Sequence, residues 1–383
     1  MLPQGPDRAF VQDLVYTTVR RFRPLRTILG QLVAKWPKGE LEALLLVGAA
    51  QLLYMPDVPD FAAVNETVAA AKYCANKSIA KVVNGVLRNL IRRRAEFEAQ
   101  LAAAPLAERE SYPNQLVKRW VTRYGEAGAE ALAKWHNQPA ETFLAYPPNG
   151  LNGSFVRLPR GQRVEDVPGY AEGAFIVQDP ATALAVELLD VHPGLSVLDF
   201  CAAPGGKTIQ IAWRLTPTVP NVPTVPQSPS RLIAQEVNPA RLRRLRANLA
   251  RLHLDWVKTI GSAEDDLAAL GPFDRVLVDA PCSNTGVLRR RPDARWRWTE
   301  ERLKDLVAQQ DAILSAAAAH VAPGGRLVYS TCSNEPEENS GQAAAFLARH
   351  PGFELVREVE SVPFESGEDG AYAVSFRRQD FGK

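Results

Sequence analysis

Residues 195–208 read LSVLDFCAAPGGKT, and this stretch decides the fold. LSVLDF is a short continuous apolar run of the kind buried on both faces of a parallel sheet. Gly205 and Gly206 then permit a tight turn, and Lys207 and Thr208 open a helix whose amino end can face a ligand. The same strand-then-helix rhythm recurs at 231–237 (RLIAQEV), 256–261 (WVKTIG), 273–280 (FDRVLVDA) and 325–331 (GRLVYST). The pattern predicts a doubly wound, Rossmann-like α/β domain over residues 174–383. One segment breaks the rhythm: 216–231, TPTVPNVPTVPQSPSR, is too rich in proline for a helix or a central strand and reads as an extended surface loop.

Upstream, from Asp7 to about Arg94, apolar residues recur at three- and four-residue spacing, as in Leu41, Leu44, Leu45, Gly48 and Leu52, with no strand-like alternation. Residues 1–100 are therefore expected to form an all-α domain, punctuated at Pro56 and Pro59. A helix over SIAKVVNGVLRNLIRRR is expected to start at a Ser78 cap. A further helix is expected over residues 114–136. The stretch 138–173, rich in Pro, Gly and Asn with short apolar pieces, reads as a connecting subdomain or linker, which makes 101–173 a helical connector and abbreviated linker subdomain.

The 383 residues exceed one ordinary domain. No run approaches the roughly 20 apolar residues of a membrane span, and MLPQGPDRAF lacks the apolar core of a signal peptide, so a cytoplasmic protein is expected. The four cysteines, Cys74, Cys201, Cys282 and Cys332, show no CxxC spacing and are expected to be free thiols without a metal. The net charge of +2 conceals segregation. Residues 71–94 hold seven Lys or Arg and no acid, 241–251 hold five Arg and no acid, and 289–297 hold five Arg against Asp293. One such run is ordinarily a solvated helix face; three beside candidate site segments favour a polyanion partner.

In an open parallel sheet, ligands bind outside the carboxyl ends of the strands. Cys201 follows SVLDF, Cys282 follows RVLVDAP and Cys332 follows RLVYST, which puts three of the four cysteines on one rim. Cys201 fits a small buried hydrophobe, the commonest fate of cysteine. The glycine turn lacks the GxxxxGK[ST] spacing of a phosphate loop, and no GxGxxG is present, which weighs against nucleoside triphosphate and dinucleotide ligands. Glu236, ending the second strand, stands where a carboxylate takes both hydroxyls of a ribose in an adenosyl cofactor; capping of the helix from Pro239 is the alternative role. In DAPCS a proline stiffens the turn between Asp279 and Cys282.

Three strings, VLDFCAAPGGKT (197–208), VLVDAPCSNTGVLRRRPDARW (276–296) and LVYSTCSNEPEEN (327–339), resemble in order and spacing the main motifs of RNA cytosine-5 methyltransferases. A proline-cysteine and a threonine-cysteine motif in one domain distinguish those enzymes from their DNA counterparts. DRAFVQDLVYTTVRR, LLLVGAAQLLYMPDVPDFAAVNETVAAAK and VVNGVLRNLIRR resemble the NusB-like RNA-binding domain that precedes the catalytic domain in bacterial RsmB/Sun (Fmu) enzymes. The resemblance covers most of the chain. It implies S-adenosylmethionine as methyl donor and a cytidine of small-subunit (16S) ribosomal RNA as substrate. It further implies Cys332 as the thiol that adds to C6 of the base, Cys282 as the group assisting the later elimination, and Asp279 as a contact to N3. The cofactor contacts it implies are Cys201, Ala202, Ala203, Pro204, Gly205, Gly206, Lys207, Glu236 and Asp279.

After the third strand the family commonly places an acid for the adenine amino group; this chain reads GSAEDD there, with Ser262 in that place and Asp265 as a substitute. Arg289, Arg290 and Arg291 suit a grip on phosphates beside an extruded base, and Trp296 and Trp298 are expected to stack or to bury. A monomer is expected. Transfer RNA as substrate, or a scaffold that binds RNA without chemistry, are the competing readings; two thiols on one rim weigh against the scaffold.

Overall fold

The computed structural model describes residues 6–148, 155–216, 230–261, 267 and 269–380, and they fall into two compact units. The first comprises Met1–Gln138 and Leu288–Arg297, the second Pro139–Val287 and Trp298–Lys383.

The first unit is helical: α1 (Pro6–Arg20), α2 (Phe22–Gly30), α3 (Glu40–Tyr54), α4 (Asp60–Cys74), α5 (Lys77–Arg92), α6 (Arg94–Ala103), α7 (Leu106–Arg109) and α8 (Asn114–Asn137). The three- and four-residue spacing of its apolar side chains becomes one core around Leu25, Ile28, Leu45, Ala49, Val83, Leu87, Leu90 and Phe97. Gly48 is where α3 meets its neighbours: a Cβ there would lie 2.7 Å from Leu87 Cδ1 and 3.2 Å from Thr67 Cγ2, closer than packed atoms approach. The α5 cap is Asn76, not Ser78. The Asn76 side chain accepts from the Ile79 amide at 3.0 Å, which starts the helix one residue before the serine. Gly125, at φ 71°, interrupts α8.

The second unit begins with a small antiparallel sheet in the order β2-β1-β3, formed by β1 (Thr142–Ala145), β2 (Phe155–Leu158) and β3 (Ile176–Val177). Leu144, Leu158 and Phe175 form its core, so of the two readings of this stretch the folded subdomain is the one that describes it. Proline and glycine dominate its composition, but TFLA and FVRL are long enough to pair.

The main sheet contains β4 (Ser196–Asp199), β5 (Arg231–Gln235), β6 (Lys258–Ile260), β7 (Phe273–Asp279), β8 (Val321–Thr331), β9 (Phe353–Ser361) and β10 (Ala371–Arg378), ordered β6-β5-β4-β7-β8-β10-β9. The strands from β6 to β8 pair in parallel; β10 runs antiparallel to both β8 and β9. Alternate residues build two cores. Val197, Leu232, Leu277 and Val328 face one side with residues of α9 (Ala183–Leu189), α10 (Gly206–Leu215) and α11 (Pro239–Arg251). Leu198, Ile233, Val276, Val278 and Leu327 face the other. They pack there on α13 (Glu300–Ala318) and α14 (Ser340–Arg349), which follow α12 (Ala294–Arg297) of the first unit. This two-sided burial is what continuous apolar strands require. Thr299 caps α13 by accepting from the Arg302 amide at 3.1 Å, and Glu300 and Glu301 complement its positive end. The expected loop at 216–231 lies almost wholly outside the described residues, as do Ser262 and Asp265. Among the described residues no helix is long and apolar enough to cross a membrane.

Candidate active site

The carboxyl ends of β4, β7 and β8, neighbours in the sheet, carry the residues singled out above. After β4 the chain turns through Cys201, Ala202, Ala203 and Pro204 into Gly205, at φ 109°, and α10 begins at Gly206. Several bonds fix this turn. The Ala202 amide donates to the Gln235 carbonyl at 2.9 Å, Arg241 Nη2 to the Ala203 carbonyl at 2.9 Å, and Asn248 Nδ2 to the Pro204 carbonyl at 2.8 Å. Burial, reinforced by Asp199, Asp279 and Glu236, pushes the Cys201 thiol up to about 12, so it stays protonated and chemically quiet.

Lys207, in the first turn of α10, reaches Asp279 at the end of β7 with an Nζ–Oδ2 distance of 2.6 Å. Burial opposes the lysine's charge, but Asp279 outweighs it and holds Lys207 above its ordinary value. The other Asp279 oxygen accepts from Ser330 Oγ at 2.9 Å. Below the pair, Asp199 is 1% exposed. Its Oδ2 accepts from Thr208 Oγ1 at 2.6 Å, while Oδ1 has no partner. Burial pushes this carboxyl up to about 7, against the help of that hydrogen bond. Glu236, following β5, is buried; it accepts from the Asn238 amide at 2.9 Å and pairs with Arg241 at 3.3 Å. Asn238, not Glu236, caps α11.

The two thiols meet. Cys282 Sγ and Cys332 Sγ lie 3.3 Å apart, both cysteines unbonded and half-buried. The hydrogen bond between the sulfurs, then burial, then the charges of Cys332 and Glu338 push the Cys282 thiol well above its ordinary value. Asn284, at φ 62°, ties the loops together: Oδ1 lies 3.5 Å from Cys332 Sγ and Nδ2 donates to the Cys282 carbonyl at 2.8 Å. The Gly286 amide donates to the Cys332 carbonyl at 3.0 Å, an approach that glycine allows because a Cβ there would sit 2.9 Å from that oxygen.

Sequence reasoning missed Asn284 and Glu338. Glu338 ends a 3₁₀ turn (Pro336–Glu338), is fully buried, and takes hydrogen bonds from the residues that follow each thiol. The acids of NEPEEN were the available signal, but nothing in their spacing announces contact with residue 283.

The phosphate grip expected of Arg289 needs correction. In the first unit Arg289 is 2% exposed and its guanidinium lies over the Trp135 ring at 4.4 Å, so it is not free to meet a phosphate. Arg290 is half-buried and Arg291 exposed. Arg295 is fully buried over the Tyr112 ring and donates to Asn137 Oδ1 at 2.9 Å and to the carbonyls of Arg20 and Ser111, both at 3.2 Å. Trp296 donates to the Val19 carbonyl at 2.9 Å, and Trp298 is buried.

Known proteins resemble this chain over nearly all its length. The family described as 16S rRNA methyltransferase RsmB/F matches residues 186–375, and the NusB family matches residues 2–92. A ribosomal RNA small subunit methyltransferase B of Serratia proteamaculans is 35% identical over 91% of this chain and 84% of its own. That of Vibrio cholerae is 34% identical over 97% of this chain and 90% of its own. Among solved structures, PH0851 superposes with a TM-score of 0.79 at 21% identity, covering 98% of this chain and 91% of its own. NSun6 from Pyrococcus horikoshii with SFG gives 0.58 at 18% identity, covering 70% and 99%. At these identities the two structures establish the fold alone.

Proposed function

The chain belongs to the 16S rRNA methyltransferase RsmB/F family, and from that premise we propose that it methylates C5 of a cytosine in small-subunit ribosomal RNA through a covalent bond between Cys332 and C6 of the base. The methyl donor is S-adenosylmethionine. The observation that carries the proposal is the 3.3 Å meeting of Cys282 and Cys332 beside the Lys207–Asp279 pair.

The rim fits the donor. S-adenosylmethionine carries ribose hydroxyls and an amino group, and Asp279 and Glu236, each paired with a basic side chain, set carboxylate oxygens around the Cys201 turn where such donors would be received. The residues that would hold it are the turn from Cys201 to Lys207, with Glu236 on the ribose and Asp279 beside the amino-acid end. Ser262 is the remaining candidate, for the adenine. When bound, the cofactor supplies an electrophilic methyl group on a sulfonium.

The protein's own residues activate the base. Cytosine C5 is a poor nucleophile, and addition of the Cys332 thiolate to C6 turns the C5–C6 double bond into an enamine-like system with electron density at C5. Asp279 meets the N3 side of the ring, and Lys207 holds the proton that offsets the charge building there. After methylation C5 releases its proton to solvent water, the electrons of that C–H bond re-form the C5–C6 double bond, and the Cys332–C6 bond breaks with its electron pair returning to Cys332 as thiolate. Cys282, whose proton is held tightly, donates a hydrogen bond to that departing sulfur, which makes it a better leaving group.

Residues 1–100 are assigned to RNA affinity, 101–173 to connection and 174–383 to chemistry. The exposed Arg291 is the remaining candidate of its run for a phosphate. Ribosomal RNA as substrate places the work in the cytoplasm, and the protein acts as a monomer. Incubation with labelled S-adenosylmethionine and unmethylated 16S rRNA, with base-resolution mapping of 5-methylcytidine in a deletion strain, tests the proposal. Incorporation into one 16S cytidine is expected. Label in transfer RNA alone refutes the substrate, and RNA binding without label refutes the reaction.

A further inference from the structure

We infer that Glu338 is a positioning residue for the reaction: its buried carboxylate clamps the loop that carries Cys282 to the loop that carries Cys332 and so sets the spacing of the two sulfurs. The inference rests on the cytosine-5 chemistry proposed above.

Four donors converge on the carboxylate. Oε1 accepts from the Ser283 amide at 2.9 Å and from Gln310 Nε2 at 2.8 Å; Oε2 accepts from Ser283 Oγ at 2.5 Å and from Ser333 Oγ. Ser283 is covalently next to Cys282, and Ser333 is next to Cys332. Gln310, on α13, donates also to the Pro281 carbonyl at 2.9 Å, the residue on the other side of Cys282. Tyr329, from β8, donates to the Glu338 carbonyl at 2.7 Å. Asn339 completes the clamp by holding both neighbours of Cys332: it accepts from Thr331 Oγ1 at 2.6 Å and donates to the Ser333 carbonyl at 2.8 Å.

A fully buried carboxylate is an expensive way to fill space, because an apolar side chain of similar volume serves as well or better when only packing is at stake. Here three of the four donors belong to Ser283 and Ser333, the residues that follow the two thiols. The charge has a second effect, since it opposes ionisation of Cys282 and leaves that thiol as donor to Cys332. Among the described residues, the other titratable groups that act on or respond to Cys282 are Cys332 and Tyr329.

The variant E338Q keeps the shape and removes the charge, and an amide cannot accept all four bonds. With the full-length protein alone, iodoacetamide labelling of Cys282 followed against pH by peptide mass spectrometry is expected to shift to lower pH. With RNA, kcat is expected to fall by about 100-fold while KM for RNA stays within about two-fold, as for a misplaced reacting group. Folded E338Q with wild-type kcat, or with an unchanged labelling profile, overturns the inference. If E338Q does not fold, the double variant S283A/S333A keeps the carboxylate and loses two of its donors, and wild-type kcat in that protein overturns it equally. Should the wild-type enzyme transfer no methyl group to cytosine, the reaction assignment fails, and the labelling comparison still decides the role of Glu338.

Discussion

Lys207 and Asp279 come from the carboxyl ends of two neighbouring parallel strands, one from the helix after β4 and one from the end of β7, and close to 2.6 Å on the rim where the thiols stand. The contact makes one charged unit of the two motifs.

Replacing the lysine tests that unit. K207M leaves Asp279 without its counter-charge, and methyl transfer is expected to fall by about 100-fold or more. The stability effect has a defined sign. Because Lys207 is held above its ordinary value in the folded protein, its contribution is complete at neutral pH and disappears as pH rises through that raised value. Thermal melts should therefore show a deficit for K207M at pH 7 that shrinks in strongly alkaline buffer.

The two cysteines should separate by trapping. C332A is expected to abolish methylation, since no thiolate remains to open the C5–C6 bond. C282A is expected to form the Cys332–C6 bond and fail to break it, leaving protein on RNA as an adduct that survives denaturing gel electrophoresis. Normal turnover by C282A together with activity in C332A would reverse the assignment.

Asp199 makes a prediction about pH. Its carboxyl, pushed up to about 7, binds a proton in the folded chain that the unfolded chain releases near pH 4. Stability contributed by this group is complete below pH 4 and declines as pH rises to about 7, by on the order of 4 kcal/mol in all. D199N carries no such proton, so its unfolding free energy between pH 4 and pH 8 should decline less than that of the wild type. Parallel declines in urea melts would contradict the assignment.

Gly286 leaves no room for a side chain between the Cys332 carbonyl and Gly370. A methyl group there would stand 2.7 Å from the Gly370 carbonyl and 2.9 Å from that of Cys332, both backbone atoms that cannot rotate away. G286A is expected to lose about 1–3 kcal/mol of stability from overpacking and to lose activity by a larger factor than RNA affinity. Chemical denaturation and filter binding read the two effects separately.

What the residues disclosed, and what they withheld, divides along physical lines. The parallel strands were legible because both of their faces are buried, which forces continuous apolar runs such as LSVLDF and RVLVDA. The strand FELVREVES was not read, because as β9 it is the sheet edge and exposes Leu355 and Val356 among its charges. Cys282 and Cys332 were legible as members of motifs at strand ends. Their contact was not, since it depends on how two loops fold back over one rim. Arg289 illustrates the converse: a basic run suggests solvent and phosphate, yet a guanidinium can be buried when an aromatic face receives it, as Trp135 does here.

The ten residues Leu288–Arg297 leave the catalytic unit and return to it, and in between they are built into the helical one. A gene trimmed to begin at Pro139 would still encode that excursion while discarding Arg20, Ser111 and Asn137, whose oxygens receive the Arg295 guanidinium. The orphaned cation and the uncovered Trp296 would make such a fragment prone to clump. Separate expression of the two halves is therefore a poor route to active enzyme, whereas co-expression offers each half its missing complement.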